Sequence, residues 1–408
     1  MKIKGKIAGA LMIQNEIMQT VDEYVLHTYN RYPLSIDRGE GVRVWDAEGK
    51  EYLDFMAGIA VYALGYHYPG YDDALKRQID KVLHTSNLYY HEPLARAAKA
   101  VVTSSGLSKV CFTNSGAEAI EGAIKSARKY AWLKDKKNNH EIIAMKSSFH
   151  GRSVGALSVT GNAHYQDPFK PLMGGVVFAE YNNIESVKAL VNDSTCAIIM
   201  ETVQGEGGIY PADPEFIREI RRICDEKDIL LILDEIQCGM GRTGKLWAYE
   251  HYGIMPDIMT CAKALGCGVP VGAFVLNEKV AANSLVPGDH GTTYGGNPFV
   301  CAAVDTVFEL FRENDIVSHA EAMGKYLADA LDAFAARHAD KVVAHRGLGL
   351  IRGLEFATDC PVGPITNRAL EKGLLIISAS NNVLRFVPPL VITESDVDEA
   401  VRILEACI

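Results

Sequence analysis

Residues 230–270 read LLILDEIQCGMGRTGKLWAYEHYGIMPDIMTCAKALGCGVP. The stretch opens inside the run 229–233, which is apolar throughout, has the length of a strand and falls far short of a membrane helix. A strand without polar alternation belongs in a sheet covered on both faces, as a mainly parallel sheet is. The run ends on Asp234 and Glu235. Ligands of open α/β sheets bind beyond the carboxyl ends of the strands, so such an acid can face a ligand, although an isolated pair serves as often in a solvated turn. Just upstream, Phe216, Ile217, Ile220, Ile223 and Cys224 gather on one helical face, giving a helix followed by a strand.

The same alternation extends outward from this segment. Short β-rich runs at 110–112, 142–145, 197–200 and 272–276 are separated by helical patterns, which predicts an α/β fold with a mainly parallel, doubly wound sheet. Residues 41–55 read as a hairpin: Val42, Val44 and Trp45, a polar turn at 46–50, then Tyr52, Leu53 and Phe55. Beyond 305 come a long amphipathic helix (Met323, Tyr326, Leu327, Ala330, Leu331, Phe334) and strands near 353–356 and 384–387, the texture of a smaller α+β domain. The predicted division is a segment 1–65 joining the small domain, a large domain 66–304 and a small domain 305–408. A chain of 408 residues exceeds one ordinary core, and with no repeat or Ser/Gly linker the two domains are expected to pack closely.

Composition narrows the function classes. Hydrophobic residues make up 48% and charged residues 23%; Lys and Arg number 41 against 51 Asp and Glu, a net charge of −10, with no basic cluster to follow a phosphate backbone. Neither nucleic acid nor membrane is an expected partner. Met1, Lys2, Ile3 and Lys4 lead soon to Gln14, Asn15 and Glu16, without the apolar core of a secretory signal, so a cytoplasmic location is expected. Nine cysteines with no C-x-x-C spacing suit reduced thiols, several of them in apolar runs (Cys111, Cys196, Cys301), rather than a disulfide framework or a metal site.

Four pieces carry chemistry. Lys263 stands among small and apolar residues, Ala262, Ala264, Leu265 and Gly266, where desolvation would favour the neutral amine that attacks an aldehyde; a lone lysine more commonly snorkels to water. Residues 113–118, Thr-Asn-Ser-Gly-Ala-Glu, join a strand to a helix starting near Glu118, and small residues there expose N–H groups and the positive helix end as a phosphate seat, though Ser and Gly also serve as plain caps. Phe149-His150-Gly151-Arg152 offers a stacking face and a carboxylate-binding guanidinium, and either residue could equally be structural. The strand-end acid Asp234 completes a set that a pyridoxal-phosphate enzyme must provide.

Together with Gly39-Glu40-Gly41, Tyr52-Leu53-Asp54-Phe55, Gln204-Gly205-Glu206-Gly207, Leu233-Asp234-Glu235-Ile236-Gln237 and Thr292-Thr293-Tyr294-Gly295-Gly296-Asn297-Pro298, these pieces resemble the class III, fold-type I aminotransferases, in order and over nearly the whole chain. The resemblance implies pyridoxal 5'-phosphate held as a Schiff base by Lys263, which also acts as general base. Asp234 would pair with the pyridinium nitrogen, Gln237 would lie near the ring hydroxyl, and Phe149 would stack on the ring. Gly116 and Ala117, with Ser115, would hold the phosphate, joined by Thr293 of the neighbouring subunit. A homodimer with shared active sites follows, and a monomer should be inactive.

Residues 86–90, 149–161 and 168–171 most resemble the acetylornithine aminotransferases, implying transfer of the distal amine of N2-acetylornithine to 2-oxoglutarate in arginine biosynthesis. By that similarity Arg152 and Thr292 would contact the donor, Arg385 would bind the α-carboxylate of glutamate or 2-oxoglutarate, and Glu206 would cover Arg385 when the donor enters. Succinylornithine, ornithine, succinyl-diaminopimelate and 4-aminobutyrate are the alternative donors. Tyr62 and Ile120 stand where Asn is common, Thr202 where Pro is, and Cys267 where Gly is; Tyr62, near the expected substrate mouth, bears most directly on donor choice.

Other readings have short motifs behind them. Gly239-Met240-Gly241-Arg242-Thr243-Gly244 matches a dinucleotide fingerprint, but its first glycine lies beyond the strand end behind two acids. Gly151-Arg152-Ser153-Val154-Gly155 matches a serine-hydrolase elbow without evident Asp and His partners. A non-catalytic member of the fold would have no use for Lys263, Asp234, Arg152 and Arg385 together.

Overall fold

The structure is a computed structural model that describes residues 12–408. Met1 to Lys4, and the first part of the 1–65 segment, lie outside the described residues. Strand Leu230–Asp234 is buried along its whole length and pairs in parallel with Thr195–Glu201 on one side and Ile258–Cys261 on the other. The full sheet has seven strands in the order Lys109–Thr113, Gly272–Leu276, Ile258–Cys261, Leu230–Asp234, Thr195–Glu201, Glu141–Met145, Val176–Ala179. Only Gly272–Leu276 runs antiparallel, to both of its neighbours.

Alternate residues of each central strand enter different cores, which is why the sequence shows no polar alternation. Leu231, Leu233, Ile198, Met200, Ile143 and Met145 join one core; Leu230, Ile232, Ala197, Ile199, Ile142 and Ala144 join the other. On the first face lies helix Pro214–Lys227, whose buried residues are Phe216, Ile217, Ile220, Ile223 and Cys224, the face read from the sequence. On the second lies helix Gly116–Asp135, seated closely enough that a Cβ on Gly122 would meet the Phe274 ring at 2.2 Å.

The sequence reading did not name the strands Val176–Ala179 and Ile258–Cys261.

The hairpin is present as Arg43–Asp46 and Glu51–Asp54, its turn held by Asp46 Oδ1, which accepts from the N–H groups of Glu48 (3.0 Å) and Lys50 (2.9 Å). Ile36–Glu40 adds a strand on one side, and Leu374–Leu375 pairs in parallel with Glu51–Asp54 on the other, joining the two ends of the chain. A further antiparallel sheet runs Val342–Leu348, Ile351–Phe356, Val383–Phe386, Ile377–Ala379, backed by helix Ile316–Arg337 through Leu327, Leu331 and Phe334. Helix Pro298–Glu313 runs across positions 304 and 305, and the largest core is continuous from Leu53 through Leu231 to Leu404.

The Gly239–Gly244 segment folds as turns and opens no helix; the next helical turn is Ala248–Tyr252. Its Arg242, 1% exposed, donates to the carbonyls of Leu350 and Pro388 and ties this segment to the second sheet. All nine cysteines are free; Cys111 and Cys360 are partly exposed and the rest buried. No helix among the described residues is long and apolar enough to cross a membrane.

Candidate active site

Strand ends, helix starts and the turns after them converge on a cavity of about 390 Å³. Its wall includes Ser115, Gly116, Ala117, Phe149, Asp234 and Lys263, with Glu206, Gln237 and His150 beside them. Residues from five separate stretches of sequence are thus brought together beyond the carboxyl ends of the strands, where α/β sheets bind ligands.

The helix that supplies one end begins at Gly116, two residues earlier than the sequence suggested. Ser115 is its N-cap, accepting from the Glu118 N–H at 3.2 Å, and the Glu118 carboxylate turns back to the Asn114 N–H at 2.7 Å. The Gly116 and Ala117 N–H groups have no intrahelical acceptor and line the cavity at the positive end of the helix. A Cβ on Gly116 would come within 2.9 Å of Ile236 Cδ1, so glycine keeps this approach open.

Asp234 ends its strand 3% exposed, with Oδ1 accepting from the Ile236 N–H (3.0 Å) and Thr260 Oγ1 (3.2 Å). Its Oδ2 is bonded at 2.7 Å to Nδ1 of His150. Burial opposes a charge on His150, but the bond to Asp234 outweighs it and holds the imidazole above its ordinary range. Lys263 follows strand Ile258–Cys261 with φ of +49°, a left-handed conformation that a non-glycine residue adopts at a cost in strain. Its side chain opens on the cavity, yet burial pushes its ammonium down to about 8 against the opposing pull of Glu206.

Phe149 forms a side wall, its N–H held by Glu201 Oε2 at 3.1 Å and its ring edge-on to Tyr165. Glu201 also accepts from the Gly205 N–H at 3.2 Å, and burial pushes this carboxyl up to about 7. Arg385 lies behind the wall, 1% exposed, with Nη1 2.5 Å from Glu206 Oε1 and 3.2 Å from Gln237 Oε1. Burial works to raise the Glu206 carboxyl, but Arg385 outweighs it and keeps Glu206 below the usual carboxylate range. Gln237 lines the cavity while bonded to this arginine.

Four residues singled out in the sequence lie off the cavity wall: Arg152, Thr292, Thr293 and Arg385. Arg152 is exposed and stacks over the Tyr165 ring at 3.9 Å. Thr292 accepts from Asn114 Nδ2 at 2.8 Å, beside the helix start, and Thr293 is exposed. Tyr62 also stays off the wall, but it backs Gly268, which lines it; a Cβ on Gly268 would meet the Tyr62 ring at 2.9 Å. Ile120 is fully buried in the helix–sheet core, while Cys267 accepts from the Leu64 N–H and Thr202 contacts Cys238 Sγ at 3.0 Å, all packing roles. Ser153 donates to Glu121 at 2.6 Å rather than to a histidine.

Sequence reading passed over His150 and Glu201. The first stands inside the quoted Phe-His-Gly-Arg motif, and the second ends a buried strand as Asp234 does, the same signal that drew attention to Asp234.

Residues 24–408 match the family described as aminotransferase class-III. The chain is 50% identical to the acetylornithine aminotransferase of Caldanaerobacter subterraneus, over 94% of this chain and 96% of that one. It is 44% identical to the acetylornithine aminotransferase of Methanocaldococcus jannaschii, over 97% and 98%. Among solved structures, an ornithine aminotransferase from Toxoplasma gondii superposes with a TM-score of 0.93 at 30% identity, over 98% of this chain and 94% of that one. An acetylornithine aminotransferase from Elizabethkingia anophelis gives 0.86 at 30%, over 97% and 99%.

Proposed function

The chain belongs to the class-III aminotransferases, pyridoxal-phosphate enzymes, and within that family we propose that it moves the distal amine of N2-acetylornithine to 2-oxoglutarate. The residues present fit the cofactor: a desolvated lysine, a buried strand-end carboxylate and a glycine-opened helix start line one cavity. Pyridoxal phosphate supplies an aldehyde that takes up the amino group and a protonated ring that accepts the electrons of the breaking C–H bond.

Each of this chain's residues then has a physical task. The Gly116 and Ala117 N–H groups, with Ser115, would hold the phosphate at the positive helix end. Phe149 would cover the ring face, and Asp234, oriented by His150, would keep a proton on the ring nitrogen. Lys263 would hold the aldehyde carbon, and its Nζ would move the proton from the donor carbon, a role suited to an amine that loses its charge near pH 8. Arg385 would grip the keto acid's carboxylate when Glu206 turns aside, and would stay neutralised by Glu206 while the donor reacts. Arg152 and Thr292 would meet the donor, and Gln237 the ring hydroxyl.

The same reading makes the protein a homodimer located in the cytoplasm. Leu88, Tyr89, Tyr90 and Tyr294 expose more than half of their surface, and Asn87 Nδ2 bonds to the Gly295 carbonyl at 2.8 Å, which sets this apolar group beside Thr293. An exposed apolar cluster of that kind marks an interface, and Thr293 would complete the phosphate site of the neighbouring subunit. The domains proposed are 1–65, 66–304 and 305–408, the last boundary falling inside helix Pro298–Glu313.

The observation that carries the reading is the desolvated Lys263 amine sharing one cavity with Asp234. Borohydride reduction of the holoenzyme followed by peptide mapping should place the cofactor on Lys263, and single-turnover rates should rank acetylornithine first among the five donors. A reduced adduct on another lysine would overturn the site, and a faster reaction with 4-aminobutyrate would overturn the donor.

A further inference from the structure

Glu206 sits in the loop 205–209, which joins the short antiparallel strands Val203–Gln204 and Tyr210–Pro211. Two consecutive residues of that loop have positive φ, Gly208 at +115° and the fully buried Ile209 at +59°. A β-branched residue rarely adopts such a backbone, so its surroundings must impose it. Every carbonyl from Gly205 to Gly208 accepts a bond from the second sheet or its loop. The donors are Arg385 Nη1 to Gly205 (3.4 Å), the Ser380 N–H to Glu206 (3.1 Å), Asn381 Nδ2 to Gly207 (3.2 Å) and Arg346 Nε to Gly208 (2.7 Å). Ser380 and Asn381 are exposed, so water competes for their bonds, whereas the Arg346 side chain is 14% exposed. Arg346 belongs to strand Val342–Leu348; its Nη1 lies 2.5 Å from Glu355 Oε2 of the next strand, and its guanidinium stacks over the Tyr210 ring at 3.9 Å.

Resting on the covering of Arg385 by Glu206 assigned above, we propose that Arg346 is a positioning residue for that exchange: it anchors the far end of the loop, so that Glu206 opens and closes by side-chain rotation over a fixed backbone. The Glu206 side chain is 28% exposed and that of Arg385 1%, so the acid has room to swing while the guanidinium has none. A loop released at Gly208 drifts, the charge-assisted bond loses its alignment, and Arg385 stands uncovered for a larger share of the time. An uncovered arginine favours a ligand that brings it a carboxylate over a donor whose reacting end carries none. Arg346 lies off the wall of the main cavity, yet it sets how far the holoenzyme discriminates between acetylornithine and glutamate.

The test compares wild-type, Arg346→Met, Glu355→Ala and Glu206→Gln holoenzymes in rapid-mixing half-reactions with acetylornithine and with glutamate. Calorimetric titration with glutarate, which carries carboxylates but cannot react, reads the same exchange without turnover. Arg346→Met keeps the packing of the stem and removes every donor. Glu355→Ala takes away only a partner whose side chain is 26% exposed, and it decides the matter if Arg346→Met does not fold. Arg346→Met should tighten glutarate binding about five- to tenfold and raise the glutamate-to-acetylornithine ratio of kcat/KM by a similar factor; Glu355→Ala should move both the same way by about two- to threefold. Glu206→Gln, which neutralises the cover itself, should give the largest shift. If Glu206→Gln shifts the ratio while the Arg346 and Glu355 variants keep wild-type ratio and glutarate affinity, the anchor is wrong and the covered arginine stands. Equal losses with both substrates and unchanged glutarate binding would make Arg346 a plain structural residue and overturn the anchor as well. No shift in Glu206→Gln would sink the covering of Arg385, and the anchor with it.

Discussion

Lys263 and its surroundings make a prediction that needs only pH. Burial lowers its pKa from 10.5 to about 8, so the neutral amine gains ground through pH 8. The rate at which the cofactor-free protein captures pyridoxal phosphate, followed by absorbance, should therefore rise with a midpoint near pH 8; a midpoint near 10 would show the amine to be solvated. Because the folded value lies below the unfolded one, this lysine's contribution to stability is complete above 10.5 and is lost as pH falls through about 8.

His150 acts at one remove. Its ring bonds to Asp234 Oδ2, and its Nε2 has no partner among the described residues. Removing a buried bond to a charged group costs roughly 1.5–3 kcal/mol, so His150→Ala should lower kcat by about 10- to 100-fold while the cofactor stays bound. A kcat within twofold of wild type would show that Asp234 is held by Ile236 and Thr260 alone. Arg385→Ala should impair the 2-oxoglutarate half-reaction by about 2–5 kcal/mol more than the donor half-reaction, and equal single-turnover losses would count against an arginine uncovered only for the keto acid.

Among the elements, the helix Gly116–Asp135 shows how packing can reverse a propensity. Gly to Ala inside a helix ordinarily stabilises by about 0.5–1 kcal/mol. At Gly122 the added carbon would meet the Phe274 ring at 2.2 Å, so the helix must lift from strand Gly272–Leu276. Gly122→Ala should instead destabilise by about 1–3 kcal/mol, read as a lower denaturant midpoint, and if the helix start seats the phosphate as proposed it should weaken cofactor retention as well. The strand Leu230–Asp234 was legible in sequence for the opposite reason: its two faces serve different cores, so every position is apolar and the first acid marks its end.

For the whole molecule, the placement of Thr293 is the sharpest question. It is exposed on a single chain and absent from that chain's own cavity wall. If it completes the partner's site, Lys263→Ala and Thr293→Arg proteins, each inactive alone, should regain activity when unfolded and refolded together, since a mixed dimer contains one site with both native residues. Failure to regain activity in a verified mixed dimer would mean that Thr293 serves its own subunit or none.

The sequence by itself determined the α/β alternation, the helix face from Phe216 to Cys224, the hairpin and the strand that ends on Asp234, because these rest on local periodicity and on what ends a strand; the tasks expected of Lys263 and Phe149 rest on their chemistry and on the family resemblance. The antiparallel turn of Gly272–Leu276 and the two four-residue strands were decided by neighbours in the sheet, which no short window contains. Tertiary structure alone brought His150 to Asp234 across 84 residues; the pairing of Arg385 with Glu206 across 179 was expected only from the family resemblance, not from any local pattern. Such pairs leave no periodic trace in the chain, since a buried charge is matched by whatever the fold carries to it, and only packing then decides which carboxylates and bases are desolvated.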